Sequence, residues 1–352
     1  MGADFVCNQE LIMAARLNLS KSVWDYLSGG AETETTIRRN RFGLDSLAFR
    51  ARVLRDVSKI DISTEVLGHD LRIPVVLSPI GSLQALVPEG AVALARAAED
   101  FGTMCFVSSV SQPSWEETAG SSNAPKVFQL YPRGDLKWME DILGRIKNAG
   151  YSALCFTVDI AFYGHRERQM MNRWIPPSRP LDQNRLYQES MTWETIDAVR
   201  EIWEGPLIIK GIATPEDAAL AVQHGIDLIY ISNHGGRVLD HSRATIDMLP
   251  EIAKTVDGKV DILIDGGFVR GSDVVKAICL GAKAVGIGKL QGWALAAAGQ
   301  AGLVRALEIL EAEIRGTLQL LGVTGLDQLG EACLCKAEPV TIPHELSAFI
   351  HL

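Results

Sequence analysis

Hydrophobic and polar positions in this chain follow one theme from residue 74 onward. A short apolar, β-rich run ends in polar or glycine residues, and an amphipathic stretch follows it. The runs are "PVVLSPI" (74–80), "MCFVSSV" (104–110), "KVFQLYP" (126–132), "ALCFTVDI" (153–160), "PLIIKGI" (206–212), "LIYISNH" (228–234), "DILIDGG" (261–267) and "AVGIGKL" (284–290), eight in all. Between them, stretches such as "GAVALARAAEDFG", "TPEDAALAVQHG" and "GSDVVKAICLG" place apolar residues at the i, i+3, i+4 spacing of a helix with one buried face. The runs themselves are nearly continuous in apolar character. That pattern predicts strands buried on both faces, hence a parallel sheet. Eight strand–helix units over about 250 residues predict an α/β fold of the (β/α)8 TIM-barrel type across residues 74–322. An open doubly wound sheet would announce itself by GxGxxG after its first strand, and none is present. "GIGKLQG" (286–292) misses that spacing by one residue and also fails as a P-loop.

The remainder is organised around the barrel, and residues 1–352 read as a single domain. Residues 1–73 predict an N-terminal extension of short helices and an extended connection. Residues 161–192, "AFYGHRERQMMNRWIPPSRPLDQNRLYQESMT", are polar, basic and proline-bearing. A long insertion of this kind after the fourth strand predicts a lid. The tail, 323–352, carries little pattern.

Composition narrows the function. With 47% hydrophobic and 22% charged residues the chain resembles an ordinary soluble enzyme. A formal charge of −9 argues against nucleic-acid binding, which depends on neutralising phosphates. Any anionic substrate must therefore meet local cations. The six cysteines show neither CxxC nor zinc spacing, and three sit in apolar stretches as expected of buried thiols. No signal pattern and no apolar run of membrane length occurs, so no membrane span and a cytoplasmic location are expected.

In a barrel, functional groups gather at the C-terminal ends of the strands. Those positions hold Ser78, Ser108, Ser109, Gln129, Tyr131, Thr157, Asp159, Lys210, Ser232, His234, Asp265 and Lys289. Of seven histidines only His234 ends a strand, which makes it the candidate general base. Asp159, ending another strand, can orient the imidazole and stabilise its charged form. Any one of these polar residues could simply cap the next helix; the whole set is harder to explain that way. No metal-ligand cluster and no GxSxG elbow is present, so no metal site is expected. Lys210 taken alone would also suit a Schiff-base aldolase.

"SNHGGRVLD", "TVDIAFYGHRERQMMNR", "FQLY", "IIKGI" and "DGGFVRGSDVVKAICLGAKAVGIG", in this order, resemble the FMN-dependent α-hydroxy acid oxidases and dehydrogenases, the group of glycolate oxidase, lactate oxidase and mandelate dehydrogenase. The resemblance runs from about residue 20 to about 322. It implies oxidation of an α-hydroxy acid to an α-keto acid with FMN as cofactor. It puts the base on His234, its aspartate on Asp159, and the substrate-carboxylate clamps on Arg237 and Arg166. A guanidinium fork matches two carboxylate oxygens better than an ammonium could. Tyr26 and Tyr131 correspond to tyrosines that hydrogen-bond substrate. Lys210 corresponds to the lysine beside the flavin N1–O2 edge, where its charge stabilises the reduced ring. Ser78, Pro79 and Ile80 would line the flavin; Ser108, Gln129, Thr157 and Ser232 would contact ring and ribityl chain. Asp265, Gly267, Arg270, Gly288 and Lys289 would lie around ribityl and phosphate. The Gly-Gly between His234 and Arg237 would let the chain turn tightly, so that base and clamp face one small substrate.

Several positions depart from the family pattern. Val269 stands where an arginine usually reaches the phosphate, and Lys289 stands in place of a second. Losing one charge-assisted bond costs roughly 1.5–3 kcal/mol, so FMN is expected to be held more weakly unless Arg270 compensates. Ile80 replaces a flavin-contacting threonine. Val110 and Gly81 replace tryptophan and alanine of short-chain oxidases, so a bulky or aromatic hydroxy acid is the expected substrate. An amine or modified peptide as substrate of the same flavin site, and a cofactor-poor scaffolding barrel, remain alternatives. The electron acceptor is oxygen, a quinone or a partner protein, and the relatives' habit suggests a homo-oligomer, often a tetramer.

Overall fold

The computed structural model describes residues 4–177 and 185–350, so the middle of the expected lid lies outside the described residues. All eight apolar runs are strands: β1 Val75–Leu77, β2 Cys105–Ser108, β3 Lys126–Leu130, β4 Ala153–Thr157, β5 Leu207–Ile212, β6 Leu228–Ile231, β7 Asp261–Ile264 and β8 Ala284–Ile287. They pair in parallel, each with its sequence neighbours, and β8 returns to β1 to close the barrel. Closure leaves no edge strand, and helices cover the outside.

Alternate residues face inward and outward along each strand. Val76, Phe106, Val127, Cys155, Ile208, Tyr230 and Leu263 fill the interior. Val66 and Leu71 join this cluster from an antiparallel hairpin, Thr64–Val66 with His69–Leu71. They pack with Met104, Ala153, Leu228 and Ala284 at the N-terminal strand ends, so the hairpin fills that mouth. The opposite mouth is left for chemistry.

The N-terminal extension contains helices α1 Asn8–Asn18, α2 Lys21–Ser28 and α3 Thr35–Asp45. α1 buries Leu11, Ile12 and Ala15 against the long helix Lys289–Leu321. The Ser20 hydroxyl caps α2 by accepting from the Val23 N–H. Asp240 serves the same purpose for α3, accepting from the N–H groups of Thr35 and Thr36 at 3.2 and 2.7 Å. From the other end of α3, Arg41 grips Asp273 with two hydrogen bonds of 2.8 Å. These contacts hold α2 and α3 over the C-terminal strand ends.

Two pairings lie outside the sequence expectation. One is the hairpin just described. The other joins Leu47–Phe49 antiparallel to Leu334–Lys336, tying the extension to the tail. All six cysteines are free, with Cys105, Cys155 and Cys279 buried. No helix among the described residues is long and apolar enough to cross a membrane.

Candidate active site

A cavity opens at the C-terminal strand ends, and His234 sits in its wall directly after β6. Its Nδ1 lies 3.0 Å from Asp159 Oδ1, and its Nε2 faces the Tyr131 hydroxyl at 3.5 Å. With its Nδ1–H donating a hydrogen bond to Asp159, the imidazole turns its Nε2 lone pair to the cavity. Burial pushes the His234 pKa down, and Asp159 only partly opposes it. Burial pushes Asp159 up, but His234 and Lys210 outweigh that and keep it below its ordinary value. The result is a neutral imidazole backed by a carboxylate. The close approach depends on Gly211, with φ +114, where β5 slips register against β6. A Cβ there would stand 2.7 Å from that of Asp159.

The Gly-Gly turn does what its sequence suggests. Gly235 and Gly236 have φ of +62 and +75, and the chain folds back so that His234 and Arg237 line the same cavity. Arg237 Nη1 donates to the carbonyls of Tyr26 and Gly29 at 2.7 and 2.9 Å, and its guanidinium lies 5.1 Å from the Tyr26 ring. Arg166 donates from Nε to the Arg237 carbonyl at 3.0 Å and from Nη1 to the Tyr163 hydroxyl at 2.8 Å. Burial, and then the neighbouring Arg166, bring the Arg237 pKa down to about 10. Two guanidinium groups crowded into one buried space form a place for an anion. Tyr26 donates its hydroxyl to the carbonyl of Gly81 at 3.0 Å.

Deeper in the barrel, Lys210 Nζ donates to Ser232 Oγ at 2.6 Å and lies 3.2 Å from Asp265 Oδ2. Burial would lower the Lys210 pKa, but Asp265 and Asp159 reverse the effect and keep it cationic. Ser232 in turn donates to Asp265 Oδ1 at 2.7 Å. Ser108 donates to Gln129 Oε1, which leaves Gln129 Nε2 buried without a partner; Thr157 Oγ1 is likewise orphaned. Buried polar atoms rarely stay unpaired, so this floor is built to meet a polar group.

Ser78, Pro79, Ile80, Tyr131, Thr157, Lys210, Asp265, Gly267, Gly288 and Lys289 all line the cavity with Tyr26, Arg166, His234 and Arg237. Ser108, Gln129, Asp159 and Ser232 stand behind that lining and reach it through hydrogen bonds or orphaned atoms. Arg270 needs correction. Its Nε and Nη2 donate to the Ala348 carbonyl, both at 3.1 Å, and its Nη1 donates to Glu313. Extended backbone alternates its side chains, so Val269 faces the cavity and Arg270 faces away. Arg270 therefore does not compensate for Val269.

Other lining residues escaped the sequence reading. Asn40 and Arg41 come from α3, Tyr163 from the lid region, Trp293 from the helix after β8 and Glu345 from the tail. The strand-end rule cannot see groups supplied from outside the barrel. Tyr163, two residues from His165 in a motif-bearing stretch, was the one within reach.

The pattern of the FMN-dependent dehydrogenase family matches residues 15–185 and 178–336. The chain belongs to this family. A peroxisomal (S)-2-hydroxyacid oxidase of Arabidopsis thaliana is 38% identical over 334 residues, covering 90% of this chain and 92% of that protein. An L-lactate oxidase of Nostoc is 36% identical over 347 residues, covering 91% and 95%. Among solved structures, a mandelate oxidase bound to benzoyl-formic acid superposes with a TM-score of 0.87 at 36% identity, covering 96% of this chain and 100% of that one. The protein is thus an FMN-dependent 2-hydroxy acid oxidase or dehydrogenase with a (β/α)8 barrel. Its residues fit the cofactor. Gln129 Nε2 and Thr157 Oγ1 await polar partners, Lys210 offers a fixed cation, and a Cβ on Gly288 would meet open space within the lining.

Proposed function

We propose that this enzyme oxidises a bulky or aromatic α-hydroxy acid to its α-keto acid, with His234 as base and Arg237 and Arg166 as carboxylate clamp. The observation that carries the reading is the convergence of a neutral, Asp159-backed imidazole and two guanidinium groups, Arg166 buried and Arg237 half-buried, on one cavity. The substrate carboxylate satisfies both arginines and relieves their repulsion. Its hydroxyl then lies within reach of His234 Nε2 and the Tyr131 hydroxyl. His234 takes a proton from substrate, and Asp159 stabilises the imidazolium that results. FMN, when bound, would supply the acceptor for the substrate's two electrons and its other hydrogen. Lys210, held cationic by Asp265 and Asp159, offers the charge that favours a reduced anionic ring. Ribityl and phosphate are assigned to the Asp265, Gly267, Gly288 and Lys289 side of the cavity. Oxygen, a quinone or a partner protein would be the final electron acceptor.

Substrate size is argued from Val110 and Gly81, both in the lining, where the chain carries less bulk than short-chain oxidases. The likeness to mandelate oxidase supports the same choice. The test is anaerobic bleaching of the bound flavin's visible absorbance. Mandelate-like acids should reduce it with a higher second-order rate constant than glycolate or lactate. Val110→Trp should reverse that order. A wild-type preference for glycolate or lactate would refute the substrate assignment, and bleaching by an amine alone would refute hydroxy acid oxidation.

A further inference from the structure

The tail has no pattern in the sequence, yet its last described part folds back over the cavity. Residues His344–Phe349 make a compact turn in which the Ser347 hydroxyl and the Ser347 N–H both donate to the His344 carbonyl, at 2.9 and 3.1 Å. Two arginines clamp it. Arg270 binds the Ala348 carbonyl and lies 4.4 Å from the Phe349 ring. Arg168 donates to Glu345 at 2.8 Å and also pairs with Glu34 at the start of α3. Phe349 is buried. The segment is a packed strap.

Glu345 is where this strap reaches the cavity, whose lining it shares with Gly288 and Lys289. Burial would raise the Glu345 pKa, but Arg168 and Lys289 outweigh it, so the carboxylate stays ionised. The family pattern has two arginines in this region, and this chain has Val269 and Lys289. A phosphate against Lys289 would therefore meet that ammonium beside Glu345 and Glu34, two carboxylates that share the single arginine Arg168, and like charges at close range repel.

We infer that residues 344–349 form a strap over the phosphate end of the flavin site, in which Glu345 competes with the FMN phosphate for the charge of Lys289 and so limits cofactor affinity. The inference rests on the phosphate placement proposed above. Riboflavin, which lacks the phosphate, should be indifferent to Glu345.

The test is titration of flavin-depleted protein with FMN and, separately, with riboflavin, followed by quenching of flavin fluorescence. Read below about pH 7, where Lys289 is already charged, Glu345→Gln should tighten FMN by about threefold or more, the scale of one partly screened charge pair, and leave riboflavin unchanged. The gap between the two forms should shrink as salt rises. Weaker FMN binding by Glu345→Gln, or an equal change for both flavins, would overturn the strap's role. Lys289→Gln separates the two layers: it should weaken FMN but not riboflavin. No effect there would remove the phosphate placement itself, whereas a Lys289 effect without a Glu345 effect would remove only the competition.

Discussion

A histidine that accepts a proton must be neutral and must have its other nitrogen's proton engaged. In His234 burial secures the first condition and Asp159 the second. The sign of the pH dependence follows. Burial holds the pKa below the ordinary 6.5, so the imidazole is protonated, and useless as a base, only at lower pH. The acid limb of kcat/KM should therefore have its midpoint below 6.5. Asp159→Asn removes the charge that props the imidazole up, so it should move the midpoint lower still. It should also cost on the order of a hundredfold in rate, within the range of general-base catalysis. Initial rates across the acid range decide both points; a midpoint above the ordinary histidine value, or one raised by Asp159→Asn, would contradict them. At this scale the sequence was legible wherever a strand end decided the matter, as for His234, Lys210 and Asp159. It was not legible between neighbours such as Val269 and Arg270, because one residue of backbone alternation settles which side chain faces inward.

The same contrast holds among the elements. The eight barrel strands could be read because burial on both faces makes each an uninterrupted apolar run. The hairpin 64–71 and the pairing of 47–49 with 334–336 could not, since strands of three residues are too short to show a period. Helix α3 illustrates how an element outside the barrel is fixed in place. Its Arg41 and the partner Asp273 have side chains only 4% and 2% exposed, and Arg41 also lines the cavity. Removing the Asp273 charge leaves the buried Arg41 with only the part-exposed Asp45 as counter-ion. Asp273→Asn should therefore destabilise the protein by up to about 3 kcal/mol in thermal or urea unfolding, the low end of the cost of breaking a buried pair. A loss below about 1 kcal/mol would mean that the pair behaves like an exposed one and that α3 is held by its other contacts.

Across the whole molecule, an acidic chain with a net charge of −9 concentrates Arg166, Arg237, Lys210 and Lys289 in one cavity. The strain of that crowding shows at Lys289, whose pKa is brought down to about 7 by burial and by Arg237, against the opposing pull of Glu345 and Glu34. Unfolded, the same lysine titrates near 10.5. In the flavin-free protein the folded state thus binds fewer protons at Lys289 than the unfolded state between these values, so this residue's contribution to stability rises with pH across that window. A phosphate seated against Lys289 favours the charged ammonium, so binding above about pH 7 must draw a proton from solution, and affinity must fall as pH rises. The phosphate is already fully ionised in that range, with its second pKa near about 6, and adds no opposing trend. FMN at a hundred times its Kd should stabilise the fold by about 2.7 kcal/mol. The excess thermal shift given by FMN over riboflavin should be larger near about pH 7 than near about pH 9, where the ammonium is costly to form. Calorimetry in buffers of different ionisation enthalpy should register proton uptake on binding of FMN and none for riboflavin. An excess shift that stays level across this range, with no proton uptake, would mean that Lys289 does not hold the phosphate.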